Sequence, residues 1–439
     1  MIRATPLSFS RWISGVAVLL LPLGLMLPAR AVDIDRAPIN YGSADPHNAV
    51  ERLQERLDAG QARLTYEDGR GYLRSLLREL NVPVSSQMLV FSKTSLQRQR
   101  ISPRTPRAIY FGDDAYLGYC QKGDLLEVSA VDPRLGAVFY SLSQKKADKP
   151  RFQRRSDNCL ICHSSSMNQG FPGHLARSVF ADGLGLPILA SGTYRIDHSS
   201  PLRRRWGGWY VTGTSGKQTH LGNLIVRGNP RPEDIDNTAN VNVTKLDRYL
   251  KTAPYLTPHS DIVALMVMEH QTEMHNRIAR ANFLTRLALH EEAEFNKALG
   301  RPANYRSEST ISRIKNAGEP VVKYLLFCEE AALTEPVKGT SGFAEEFVKR
   351  GPADDRGRSL RQLDLKRRLF AYPCSYLIYS EAFDALPAPV RDYVLRRLWE
   401  VLDGKDTSKE FAHLSAEDRR ALVEILRATK GNLPNYWKQ

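Results

Sequence analysis

The sequence has no second Cys-x-x-Cys pair, no phosphate-cradling glycine loop, no metalloprotease helix motif, no internal repeat and no low-complexity tract. These absences exclude a two-pair zinc site, a P-loop enzyme, a helix-borne zinc protease and a solenoid. No apolar run reaches the roughly 20 residues that span a bilayer. The run over residues 13–27 is 15 residues long and contains Pro22. Basic residues are scattered, the densest groups being residues 98–107, 151–155, 203–205 and 356–368. Without one long basic tract, nucleic acid is not expected as a partner.

What is present reads as a folded chain. A composition of 42% hydrophobic, 9% aromatic and 25% charged residues is that of a globular protein, and 439 residues suffice for one large or two moderate domains. The first 31 residues differ from the rest. Arg3 and Arg11 make a short basic start, the apolar run follows, and Ala29-Arg30-Ala31 has the small residues that signal peptidase reads. Residues 1–31 are therefore expected to be a secretory signal peptide, and the protein to be periplasmic or otherwise exported. No cysteine lies near the cleavage point, so a lipid-anchored form is not expected. Removing Arg3, Arg11 and Arg30 from a net charge of +14 leaves +11. That basic surface leaves anionic membrane as a candidate peripheral contact.

Cysteine carries the chemistry. Two of the five cysteines stand in Cys159-Leu160-Ile161-Cys162-His163, the Cys-x-x-Cys-His signature of covalent haem c attachment. Two thiols three residues apart on one helical turn project to the same side, where they can add across the two vinyl groups of one porphyrin edge. The adjacent imidazole then faces the iron. A zinc site would need ligands beyond Cys159 and Cys162. A thioredoxin-type dithiol would want a preceding apolar strand, whereas residues 152–158 are basic and polar. One covalent haem c is thus the expected cofactor. Of the other cysteines, Cys328 and Cys374 could pair, while Cys120 has no evident partner.

Over Cys159 to His163 the chain resembles c-type cytochromes. More loosely, the stretch from Arg104-Thr-Pro-Arg-Ala-Ile-Tyr-Phe through Trp206-Gly-Gly-Trp-Tyr-Val-Thr-Gly is similar to large single-haem bacterial proteins grouped under a cytochrome c domain, a likeness that implies no particular reaction. The chain departs from small soluble cytochromes c in placing its motif in mid-sequence and in lacking a compact domain with a closing Met loop.

Hydrophobic periodicity predicts an α+β fold. Helices are expected over residues 48–59 and 72–80, and strands over 88–91, 107–111, 116–119, 125–131 and 137–142, with strand-like runs again at 188–193, 209–212 and 223–226. From residue 261 the pattern is helical, at 261–298, 320–333, 359–370, 390–402 and 416–428. Residues 32–242 are expected to form a β-rich region bearing the haem, and residues 243–439 a helical region packed against it around a shared cofactor zone.

The expected function is electron transfer by Fe(II)/Fe(III) cycling, the alternative being a haem enzyme or gas-binding protein with an open distal site. The sequence names no redox partner or substrate and fixes no oligomeric state. For the sixth iron ligand, Met167 is too close to His163, since a link of about 14 Å cannot round the porphyrin edge. His174, His198 and His220 have enough chain. Met266, His270 and Met274 recur every four residues on one helix face with Ile262 and Ile278, and His275 points away. His270 is the expected metal ligand opposite His163. Arg203, Arg204 and Arg205 are candidates to hold a haem propionate.

Overall fold

The period-two segments of the first half form one antiparallel sheet. In the computed structural model, which describes Met1 and residues 33–438, the strands run β1 (Met88–Val90), β2 (Arg107–Phe111), β3 (Ala115–Tyr119), β4 (Leu125–Asp132), β5 (Gly136–Ser143) and β6 (Phe152–Arg154). A two-residue strand completes the sheet at its far edge, and the spatial order is β6-β5-β4-β3-β2-β1 followed by Trp209–Tyr210. The signal-peptide expectation for residues 1–31 lies outside the described residues. Two shorter strands, β7 (Arg177–Val179) and β8 (Thr193–Arg195), pair separately, which makes the far-edge strand β9.

The β4–β5 hairpin explains how the sheet meets the helices. Asp132 Oδ1 accepts from the Arg134 and Leu135 amides at 2.9 Å each, closing the turn. Gly136 ends it at φ +66°, and a Cβ there would stand 2.9 Å from the Ala279 Cβ and 3.0 Å from the Pro172 carbonyl oxygen. Only glycine serves both the left-handed backbone and the close approach.

Among the helices, α1 (Ala49–Asp58) is capped by Asn48, whose side chain accepts from the Val50 and Glu51 amides, and α2 (Leu73–Glu79) follows it. The short α3 (Asp157–His163) comes directly after edge strand β6, a position whose charged residues suit a sheet edge. Helix α4 (Ile262–Ala298) is the axis of the molecule, and every residue from Ile262 to His275 is buried. A helix buried on all sides lies within a core rather than on it. It packs on β5, on α5 (Glu308–Leu325) and on elements following α6 (Phe343–Val348), namely α7 (Glu381–Asp384) and α8 (Ala388–Leu402), with α9 (Ala416–Thr429) beyond.

One core cluster contains Met88, Val90 and Phe111 of the strands together with Ile262, Leu265, Val321 and Leu398 of the helices. Residue 242 therefore marks a change of secondary structure inside one body, since the chain from Asp33 onward forms one compact unit. The architecture is α+β. Among the described residues no helix is long and apolar enough to cross a membrane.

Four expected elements differ. Residues 188–193 form no strand, a single 3-10 turn standing at Leu189–Ser191 before β8 begins at Thr193. Residues 359–370 form no helix: Asp364 accepts from the Lys366 and Arg367 amides at 2.8 Å each, and Leu363 bridges Phe370 across the resulting turn. Residues 223–226 form no strand, because the Asn223 side chain bonds both backbone groups of Val211 instead of joining a ladder. Helix α5 starts at its Ser307 cap and carries Pro320 inside it, where a helix start was expected. Cys328 and Cys374 are both buried and free, so the pairing considered for them is not formed.

Candidate functional site

Cys159, Cys162 and His163 all lie on α3, and no residue of that helix is buried. Both thiols are free, Cys159 half-buried and Cys162 exposed, and Ile161 between them is 73% exposed. A helix that covers no core of its own, with two thiols on one side, has a face available for a group to sit on. Burial pushes the Cys159 thiol up to about 11, with the Glu127 carboxylate adding to the effect.

The imidazole of His163 is already oriented. Its Nδ1 lies 2.9 Å from the Gly173 carbonyl oxygen, which can only accept, so the proton is on Nδ1 and Nε2 carries the lone pair, with no hydrogen-bond partner among the described residues. The ring rests against Phe139, with centroids 4.5 Å apart. Burial lowers its pKa below the ordinary value, which favours the neutral, ligand-competent form.

The segment after α3 folds back to make this bond. The His163 carbonyl accepts from the Gly173 amide at 3.0 Å and from Asn168 Nδ2 at 2.9 Å. Ser164 Oγ donates to the Gly170 carbonyl at 2.9 Å, and Gln169 takes the left-handed conformation with φ +56°. Helix α4 anchors the loop from the other side. Asn276 Oδ1 accepts from the His174 amide at 2.8 Å, and its Nδ2 donates to the His174 carbonyl at 2.7 Å. A Cβ on Gly173 would stand 2.4 Å from Asn276 Oδ1, so the peptide before His174 is pressed onto the same side chain. Asn276 and Gly173 were not among the expected site residues, because Asn276 reaches this loop through His174, 102 positions away in the sequence.

The histidines considered as a sixth ligand are placed elsewhere. His174 follows Gly173, with its Nε2 2.9 Å from Ser129 Oγ, its Nδ1 buried without a hydrogen-bond partner and its ring over Tyr116 at 4.2 Å. His270 is fully buried, with Nδ1 2.9 Å from His198 Nδ1 and Nε2 2.7 Å from Ser375 Oγ. Both its ring nitrogens are engaged, so the expectation of an iron-facing His270 finds no free donor atom. His198 is stacked on Tyr324 at 3.9 Å, and His220 accepts from the Gly222 amide beside Trp206. His275 Nε2 bonds the Asp113 carbonyl, Met266 and Met274 are core residues, and the Met167 carbonyl accepts from Arg195.

Of the expected propionate arginines, Arg205 is buried and spent on Glu269, at 3.0 Å, and on the His198 carbonyl. Burial holds Glu269 up at about 8 against the pull of Arg205. Arg204 lies over the Tyr194 ring, and Arg203 is exposed. Among the described residues, no group of three or more His, Cys, Asp or Glu side chains is set to hold a metal ion. The residues that could hold a haem are Cys159 and Cys162 for the covalent links and His163 for the iron. No protein-family model, curated protein or solved structure matches this chain.

Proposed function

We propose that the protein is an exported monohaem c-type cytochrome, with haem c bound through Cys159 and Cys162 and ligated by His163, and that it transfers electrons. The observation that carries this reading is the His163 ring. Its Nδ1–H is fixed on the Gly173 carbonyl and its Nε2 meets no hydrogen-bond partner among the described residues, one residue after two free thiols on a helix whose residues are at most half-buried overall. This donor set fits haem c.

When bound, the group supplies one-electron Fe(II)/Fe(III) cycling. The chain's own contribution is positional. The Gly173 carbonyl sets the tautomer and strengthens Nε2 as a donor, as outer-shell carbonyls do for ligating histidines. Phe139 fixes the ring plane, and burial keeps the imidazole neutral. Exposed Cys162 and Ile161 bring the attachment edge to the surface, where a redox partner protein can approach. The basic character of the chain also suits docking on anionic membrane, and nucleic acid is not proposed as a partner.

The test is expression with a cytochrome c maturation system. A c-type pyridine haemochrome band that survives acid-acetone extraction is expected, and it should vanish in the Cys159→Ala, Cys162→Ala double variant. No such band in the parent protein would end the proposal. A second reading, an open-site haem enzyme or gas-binding protein, is favoured by the burial of His174, His198, His220 and His270 within the fold and by the engagement of both ring nitrogens of His270. Carbon monoxide added to the reduced protein separates the two: a Soret shift means an accessible iron, and an unchanged spectrum means a closed carrier.

A further inference from the structure

A cleft of about 70 Å³ opens between the loop at residues 168–173 and helices α4 and α5. That is room for a few waters or one small polyatomic ion. Its charged wall is mostly cationic: Arg195, Arg277 and Arg280 line it with one carboxylate, Glu273, beside the amides of Asn168, Gln169, Asn276 and Asn316.

Glu273 is 9% exposed at its side chain and is shared between two of the guanidinium groups, bonding Arg195 Nη2 through one oxygen and Arg277 Nε at 2.8 Å through the other. One negative charge therefore faces three positive ones. Arg195 spends a further donor on the Met167 carbonyl, and Arg277 lies over the Tyr324 ring at 4.5 Å. Arg280 has neither arrangement. Among the described residues its Nε is buried without a hydrogen-bond partner, and its guanidinium carbon lies 6.0 Å from the centroid of the Phe171 ring. Burial and the neighbouring Arg277 lower its affinity for its proton.

A solvated surface arginine would point its donors into water. Here a donor is withdrawn from water and left unmet beside two like charges, an arrangement that costs free energy unless an acceptor completes it. A fork of five N–H donors matches the oxygens of a carboxylate or an inorganic oxyanion, which would also supply the missing negative charge. We propose that this cleft binds a small oxyanion or carboxylate, held by Arg280 with the free donors of Arg277 and Arg195. The site does not depend on the haem reading. Its occupant could be a diffusible anion or a carboxylate of a bound haem, and the two sources are separable.

The experiment is calorimetric titration of the full-length exported protein with inorganic phosphate and with acetate at pH 7 and low ionic strength. Binding is expected with a dissociation constant below about 10 mM, weakened tenfold or more by Arg280→Gln and by Arg277→Gln while the far-ultraviolet dichroism stays unchanged. The same titration is run on the Cys159→Ala, Cys162→Ala protein. Binding in both forms assigns the cleft to a diffusible anion, and binding only in the cysteine-free form assigns it to the haem's own carboxylates. No binding in either form, or binding that both arginine substitutions leave unchanged, overturns the proposal. A missing haemochrome band would remove the haem reading and leave this result standing.

Discussion

Asn276 holds both backbone polar groups of His174, accepting its N–H at 2.8 Å and donating to its carbonyl at 2.7 Å. The next peptide back supplies the Gly173 carbonyl that bonds His163 Nδ1. The central helix thus reaches His163, the residue that would ligate the iron, through a two-step backbone relay.

Asn276→Ala should remove both bonds and cost about 1–3 kcal/mol of stability, read as a lower urea midpoint. A purely structural role would stop there. A positioning role also predicts a shifted reduction potential or ferric spectrum, with Asn276→Asp, which keeps the acceptor and loses the donor, lying in between.

Gly173→Ala tests the same relay from the loop side. Its new Cβ would stand 2.4 Å from Asn276 Oδ1 and 2.9 Å from Asn276 Cγ. Overpacking of this kind costs about 1–3 kcal/mol, and thermal denaturation should show it. An unchanged melting temperature would mean that the loop yields freely and does not constrain His163.

Much of the fold was legible because burial imposes period on the sequence. Strands β2 to β5 and helices α4, α8 and α9 sit within a residue or two of their expected limits, since each carries a regular pattern of buried apolar residues. Residues 359–370 share that pattern, yet Asp364 caps a turn in the middle of it, and a side chain bonding its own backbone outweighs a helical stripe. In the site, Cys159, Cys162 and His163 are adjacent and were legible as a unit. Gly173 and Asn276 reach that unit through tertiary contacts and Arg280 lines a separate cleft, and nothing local distinguishes the three from ordinary loop and helix residues. The stripe of Met266, His270 and Met274 was legible as a face, but whether it met a cofactor or a protein core depended on what packs there.

His220 gives a pH dependence with a defined sign. Burial lowers its pKa from 6.5 to about 4. Below 6.5 the unfolded chain takes up a proton that the folded site refuses, so stability falls as pH drops from 6.5 towards 4. The loss between pH 7 and pH 5 from this group is about 2 kcal/mol. Buried carboxyls act in the opposite direction: Glu330, pushed up to about 7, favours the folded state on acidification. The measurement is therefore a comparison. His220→Gln should flatten the pH 5 to 7 stability profile by about 2 kcal/mol relative to the parent, and parallel profiles would contradict the assignment.

His270 separates a core role from an iron role. Its ring lies 4.4 Å from Phe327 and 5.3 Å from Tyr324 in near-parallel stacks, and its two nitrogens are taken by His198 and Ser375. Burial lowers its pKa well below the ordinary value, and the neighbouring His198 adds to this, so the pair shares its hydrogen bond in the neutral state. His270→Ala removes a packed ring and strands His198 Nδ1 and Ser375 Oγ, for which a loss of about 2–5 kcal/mol is expected. The haem spectrum should not change, because no ring nitrogen was available to the iron. Unfolding by urea reads the first expectation and the ferric absorption spectrum reads the second. A variant of parental stability with an altered spin state would place His270 on the iron and require a rearrangement of the His198–Ser375 network on haem attachment.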